Sequence, residues 1–279
     1  MFMDNLIINN QSLSILISLR DRLPQSLLLT GSSGVGLYTI ANSLAKNKNN
    51  TIFTVLPTDK DDNIDIEKGS IRVSSIRDLY RQTRTEQSNP QIIIIDFADK
   101  MSLTSQNAFL KLLEEPNPSI HFILLSHHPS MLLATILSRV WRINIKPISK
   151  KQSLNLLSSL KIFDQSTINK IMFMAEGLPA EIKRLNNDKK YFDYKVSLMI
   201  DARNFITANT YDKLLIINKY HSERQTCLNF IESVNKVARS LLKNNPDPII
   251  LDILRKMILA YDKISKNQNI RLQLSRAVI

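Results

Sequence analysis

Cysteine is almost absent: Cys227 stands alone among 279 residues. A disulfide within the chain needs two thiols and a cysteine zinc site needs more, so both are excluded. A single thiol fits a reducing, cytosolic compartment. The opening residues, MFMDNLIINN, lack the basic-then-apolar order of a signal peptide. No apolar run approaches the ~18–20 residues that span a bilayer. The expectation is therefore a soluble, cytoplasmic chain with no membrane partner. Glycine is also scarce, at five, yet three of them are Gly31, Gly34 and Gly36. Acidic residues are outnumbered: 25 Asp and Glu against 37 Lys and Arg give +12 and a pI near 9.7. That balance points toward nucleic acid or an acidic partner, although a lysine-rich and asparagine-rich proteome produces it too.

What is present is an ordinary globular composition, 43% hydrophobic, long enough for two or three modest domains. Its organising stretch is Gln91–Pro116, QIIIIDFADKMSLTSQNAFLKLLEEP. Four consecutive isoleucines, Ile92–Ile95, read as a strand buried on both faces, the pattern of a central parallel strand. The run ends on Asp96, at the carboxyl end of a strand, where open α/β sheets bind ligands. A carboxylate there suits a metal–phosphate complex, and it equally suits a solvated strand end. About sixty residues upstream lies GSSGVGLYT, Gly31–Thr39. It has the spacing of a phosphate-binding loop, G-x-x-x-x-G-K-[ST], with Leu37 at the lysine position and Tyr38 at the magnesium-binding hydroxyl position. Glycine-loop amides can still surround phosphate. Leu37 cannot clamp the β- and γ-phosphates, so ATP binding is expected to be weak or lost and efficient hydrolysis abolished. A plain turn joining strand to helix is the alternative.

The elements follow in order. A helix is expected over 11–23, with Leu13, Leu16, Ile17 and Arg20 on helical spacing and Pro24 as its stop. Ser26–Thr30 is a short buried strand feeding the glycine loop. Leu37, Ile40, Ala41, Leu44 and Ala45 recur as one apolar helix face. Thr51–Leu56 reads as a strand and 57–70 as an acidic surface loop. Ser74–Thr85 reads as a helix with Ile76, Leu79, Tyr80 and Thr83 on one face. Arg72, Arg77, Arg81 and Arg84 lie on the other, a solvated face in preference to a nucleic-acid contact. Ser102 is a plausible N-cap for a helix over 103–115, which carries Leu103, Ala108, Phe109, Leu110, Leu112 and Leu113 and ends at Pro116. His121–Ser126 is a strand, Ser130–Val140 a short helix or pair of turns, and Arg142–Lys146 a strand. The adjacent His127 and His128 lack metal-ligand spacing, so no metal site is expected. This alternation predicts a parallel sheet with helices on both faces. Beyond Pro147 only helices are expected, broken near Asp164 and at Gly177-Leu178-Pro179. A seam of Ile250, Leu254, Met257, Tyr261 and Ile264 begins after Pro246 and Pro248. Residues 191–279 carry 14 Lys and Arg against 8 Asp and Glu, half of the total excess.

Taken together, SLLLTGSSGVG and IIIIDFADKMSLTSQNAFLKLLEEPNPSIHFILLSHHPSMLLATILSRV resemble the AAA+ core of bacterial clamp-loader subunits. NAFLKLLEEP is similar to that family's NALLKTLEEP. LLATILSRV is similar to its Ser-Arg-Cys segment, with Val140 replacing cysteine. The likeness is strong over roughly 25–147 and weaker beyond. It implies an α/β AAA+ core over 1–147, an all-α lid over 148–188 and an all-α C-terminal collar over 189–279.

Within the family, three positions separate the ATP-hydrolysing gamma/tau motors from delta-prime subunits. Leu37 replaces the loop lysine, Phe97 the water-polarising glutamate, and Ala180 a sensor arginine. The resemblance therefore implies a non-hydrolysing delta-prime-like stator, with no catalytic residue in cis and Arg139 as an arginine finger for a neighbouring ATP site. Gly31, Gly34, Gly36, Leu37, Tyr38 and Asp96 would form a degenerate nucleotide site without cofactor. The family's four-cysteine zinc module is missing, since 46–74 holds no cysteine. The implied partners are gamma/tau and delta subunits in a hetero-pentamer, and through it the sliding clamp and primed DNA. An ATPase motor with an unusual loop and a DNA-binding module with a dead nucleotide site remain the alternatives.

Overall fold

The isoleucine run divides between two cores. Ile92 and Ile94 belong to one buried cluster, Ile93 and Ile95 to another, one on each face of a five-stranded sheet. This computed structural model describes residues 6–19, 22–46, 50–83, 90–115 and 117–278. Arg20, Arg84, Thr85 and Pro116, and the side chain of Thr83, lie outside the described residues. The chain forms two compact units, Met1–Arg184 and Leu185–Ile279.

In the first unit the elements run α1 (Asn10–Ser18), β1 (Ser26–Thr30), α2 (Leu37–Ala45), β2 (Thr51–Val55), α3 (Val73–Thr83) and β3 (Gln91–Ile95). Then come α4 (Leu103–Glu114), β4 (Ile120–Ser126), α5 (Ala134–Leu137), β5 (Trp141–Asn144), α6 (Lys150–Ser159), α7 (Gln165–Ala175) and α8 (Pro179–Asn187), which runs across the division between the units. All strand pairs are parallel, in the order β2-β3-β4-β1-β5. Leu27 and Leu29 of β1 point to the face holding Leu16 of α1 and Leu37, Ile40 and Leu44 of α2. Leu28 points to the opposite face, with Ile76 and Leu79 of α3 and Phe109 and Leu112 of α4. Side chains alternate across a strand, so one apolar run supplies both faces.

Several ends differ from the pattern-based expectation. Helix α1 stops at Ser18, and Ile17 is exposed, because the face that packs on the sheet is centred on Leu16. Ser130–Val140 becomes a 3-10 turn over Pro129–Met131 followed by the single-turn α5. β5 begins one residue early, at Trp141, and its ladder continues past Asn144 through the Ile145 amide, which donates to the Thr30 carbonyl at 2.7 Å. Ser102 caps α4 as expected, its hydroxyl accepting from the Ser105 amide at 3.1 Å. Arg81 is exposed on α3 and pairs with Asp78, as expected of a solvated face, whereas Arg72 precedes the helix, is half-buried and pairs with Asp62.

The second unit is helical: α9 (Lys189–Thr207), α10 (Thr210–Ile217), α11 (Arg224–Asn244), α12 (Pro248–Ser265) and α13 (Ile270–Val278). Helix α11 packs against α9 and α12, and α13 against α10 and α12. Phe230 is the hub, edge-on to Phe205 at 5.7 Å and stacked on Tyr220 at 4.3 Å. The buried line of α12 is Ile253, Met257, Ala260 and Ile264. Ile250, Leu254 and Tyr261 flank it half-buried, so the expected seam has the right spacing with its centre shifted by one helix position. Among the described residues, no helix is long and apolar enough to cross a membrane.

Candidate nucleotide-site remnant and arginine segment

The carboxyl ends of the three central strands, β3, β4 and β1, carry Asp96, His127 and Gly31 at one end of the sheet. β1 runs into the glycine loop, whose Gly34 and Gly36 have φ of +88° and +94°, values that glycine adopts without strain. Gly31 has a different reason to be glycine. A Cβ there would stand 2.9 Å from the Ile145 carbonyl oxygen and 2.9 Å from Val35 Cγ1. Leu37 is turned inward: it is 3% exposed, in the cluster with Val35, Ile40, Ile143 and Ile145. Its Cδ2 lies 3.5 Å from where that Gly31 Cβ would be. Tyr38, the next residue, is 44% exposed.

The start of α8 closes over the same loop. The Ala180 amide donates to the Gly34 carbonyl at 2.9 Å. A Cβ on Gly34 would meet Glu181 Cβ at 3.3 Å and Leu178 Cβ at 3.4 Å. Thus Ala180, singled out in the sequence as a lost arginine, meets the loop through its backbone.

Asp96 is engaged by its own neighbour, one carboxylate oxygen accepting from the Phe97 amide at 2.9 Å. Burial pushes its carboxyl above the usual range; the Phe97 bond and the nearby His127 oppose that shift, and Asp99 adds to it. Phe97 sits at φ +52°, a left-handed conformation uncommon for an aromatic residue. Its ring lies edge-on to His127 at 5.7 Å.

His127 is the residue the sequence reading passed over, having weighed it only as a metal ligand. Its Nδ1 is 2.8 Å from the Gly31 carbonyl oxygen. A carbonyl only accepts, so Nδ1 carries the proton. Its backbone amide donates to Asp99 Oδ1 at 3.2 Å. His127 therefore ties the glycine loop to the turn after β3. The available signal was position, since it follows a strand directly hydrogen-bonded to the strand that enters the loop. Among the described residues, no group of three or more His, Cys, Asp and Glu could hold a metal ion. Positions 37, 38 and 97 supply neither a cation, nor a short hydroxyl, nor a second carboxylate. This donor set does not fit a magnesium–nucleotide complex.

Arg139 stands apart from that cluster, just after α5. Its Nη1 donates to the Thr135 carbonyl at 3.0 Å, and Nη2 lies 3.0 Å from Glu114 Oε1 at the end of α4. The arginine side chain is 38% exposed. The segment before it is held by buried Gln106. The Gln106 Oε1 accepts from the Leu133 amide at 2.8 Å, and Nε2 donates to the carbonyls of Met101 (3.2 Å) and Met131 (3.1 Å). Helix α4 thus fixes both the backbone leading to Arg139 and, through Glu114, its guanidinium. Neither Gln106 nor Glu114 was singled out from sequence.

A family model described as DNA polymerase III, delta subunit, matches residues 13–149, the span that holds the sheet, the loop and Arg139. The delta′ subunit of Bacillus subtilis DNA polymerase III is 33% identical over 90 residues, covering 32% of this chain and 26% of that protein. Over residues 13–149, just under half of its length, the chain is similar to AAA+ clamp-loader subunits. The tau subunit of Escherichia coli DNA polymerase III is 33% identical over 147 residues, 47% of this chain and 23% of tau. The chain therefore spans about a quarter of the length of these curated relatives. A gamma subunit-related protein from Thermotoga maritima shares its fold, with a TM-score of 0.52 at 16% identity, over 96% of this chain and 97% of that one.

Proposed function

We propose that this chain is a delta-prime-like, non-hydrolysing subunit of the DNA polymerase III clamp loader. On this reading residues 1–147 are the AAA+ core, 148–188 the lid and 189–279 a collar that assembles with gamma/tau and delta subunits into a hetero-pentamer. The complex would open the sliding clamp and place it on primed DNA. The observation that carries the reading is Leu37. The position that should present an ammonium to phosphate is filled by a side chain packed in the hydrophobic core. Phe97 in place of a carboxylate and Ala180 in place of an arginine support the same conclusion. Each loss has its own consequence: no phosphate clamp, no water-orienting acid, no second positive charge.

What remains chemically useful is Arg139. Its guanidinium stays charged at any physiological pH and presents a planar fork that matches phosphate oxygens. Presented to a neighbouring subunit, it would stabilise charge building on the transferring phosphoryl group, worth about 10³–10⁵ in rate at the site it faces. The basic excess of the chain would add salt-dependent phosphate contacts once DNA is held in the complex. The motor reading draws on one feature, the left-handed Gly34 and Gly36, which keep the phosphate-loop turn.

The test is ATP turnover by the reconstituted complex containing Arg139→Ala. We expect assembly to be unchanged and turnover to be lost at the one ATP site that this subunit faces. Full DNA-stimulated turnover in a properly assembled complex would refute the trans-arginine role.

A further inference from the structure

We infer that Glu114 is a positioning residue for Arg139, aiming the guanidinium that the reading above assigns to a neighbouring ATP site. The inference rests on that reading. Three facts converge. Glu114 is the final residue of α4, a helix whose Phe109, Leu112 and Leu113 are locked in the core, so the carboxylate is mounted on a rigid support. Its Oε1 lies 3.0 Å from Nη2. Nη1 is held separately by the Thr135 carbonyl at 3.0 Å.

The two contacts restrain both terminal nitrogens. A guanidinium has five N–H donors; these contacts and a longer one from Nη1 to Ser138 Oγ at 3.5 Å use three of them, leaving others for an anion approaching from solvent. A long arginine side chain without such restraint samples many rotamers, and fixing it only when a partner arrives carries an entropic cost. Glu114 orders it beforehand. The carboxylate of Glu114 is 51% exposed, so the pair contributes little to folding. Its effect should therefore appear in turnover and hardly at all in stability.

Four versions of the full-length chain, each reconstituted with its ATP-binding partner subunits, test this: Glu114→Ala, Glu114→Gln, Arg139→Ala and the double variant Glu114→Ala/Arg139→Ala. ATP hydrolysis is followed as kcat and KM, complex assembly by light scattering, and each free chain by urea unfolding. We expect Glu114→Ala to lower kcat at the affected site by about tenfold, the scale of a small misplacement of a catalytic group, with KM, assembly and unfolding midpoint unchanged. Glu114→Gln should restore most of the rate, because its amide oxygen still accepts from Nη2. The double variant should be no slower than Arg139→Ala alone. Wild-type kcat for Glu114→Ala, alongside a slow Arg139→Ala, would overturn the positioning role while leaving the trans-arginine reading intact. A faster Glu114→Ala would also overturn it, marking the pair as a resting contact that must break. An Arg139→Ala complex at full rate would instead remove the reading beneath it.

Discussion

Putting the missing lysine back at position 37 should damage this protein without restoring a nucleotide site. Leu37 is 3% exposed, among Val35, Ile40, Ile143 and Ile145. Losing that buried side chain forfeits about 1.5–3 kcal/mol of apolar transfer. The lysine ammonium then has two choices. It can remain among apolar neighbours, where an unpaired charge costs several kcal/mol more. Or it can push outward through a loop already covered by α8, breaking the hydrogen bond from the Ala180 amide to the Gly34 carbonyl. Either route brings the total for Leu37→Lys to about 4 kcal/mol or more. For a unit of this size each kcal/mol shifts Tm by roughly 2–4 °C, so the drop should be on the order of 10 °C. Leu37→Ala supplies a scale, at about 2–5 kcal/mol for a cavity. Leu37→Met, close in volume, should cost less than about 1.5 kcal/mol. Urea unfolding followed by circular dichroism measures all three, and equilibrium dialysis with ATP and magnesium measures binding. A Leu37→Lys chain as stable as the parent that binds ATP would refute the reasoning, because it would mean an intact site lacking only its lysine.

Other substitutions test neighbouring parts of the account. Gly34→Ala places a Cβ at φ +88° and 3.3 Å from Glu181 Cβ, and should cost about 1–3 kcal/mol by the unfolding midpoint. Gln106→Leu strips the Leu133 amide and the carbonyls of Met101 and Met131 of their partner. It should destabilise by about 2–4 kcal/mol, and a loss below about 0.5 kcal/mol would count against the bracing role of Gln106. Asp96 favours its protonated form in the folded chain relative to the ordinary value of 3.8. Its stabilising contribution is therefore full below pH 3.8 and lost as pH rises through the folded value. Asp96→Asn should gain in Tm relative to the parent across that rise, and a difference flat with pH would contradict the burial argument.

The parallel sheet was legible because its strands are short, β-branched or leucine-rich, and separated by helical periodicity. Ser26–Thr30 and the apolar face of α2 match the expected residues one for one. Where periodicity alone had to fix the phase of a helix, it erred by a position. Ile17 faces solvent, and the α12 line is centred on Ile253 and Ala260, because phase depends on where the neighbouring element lies and the sequence carries no sign of that. Boundaries at Trp141 and Ser130 shifted for a related reason: Trp141 pairs with Leu27 of β1, and Gln106 bonds the backbone of Met131 and Leu133, partners distant in sequence. At the site, motif spacing marked Leu37 as standing at the lysine position of a phosphate loop, and the clamp-loader resemblance singled out Arg139. The contacts of His127 with Gly31 and of Glu114 with Arg139 were not legible, since each joins segments that only the folded sheet brings together.

The central claim is that this fold has lost its own phosphate chemistry and acts on a neighbour's. The most direct measurement is ATP turnover by the purified full-length chain alone, with magnesium and primed DNA. The account predicts no hydrolysis above background. A rate of about 1 s⁻¹ or more, within the ordinary range of enzymes, would contradict it.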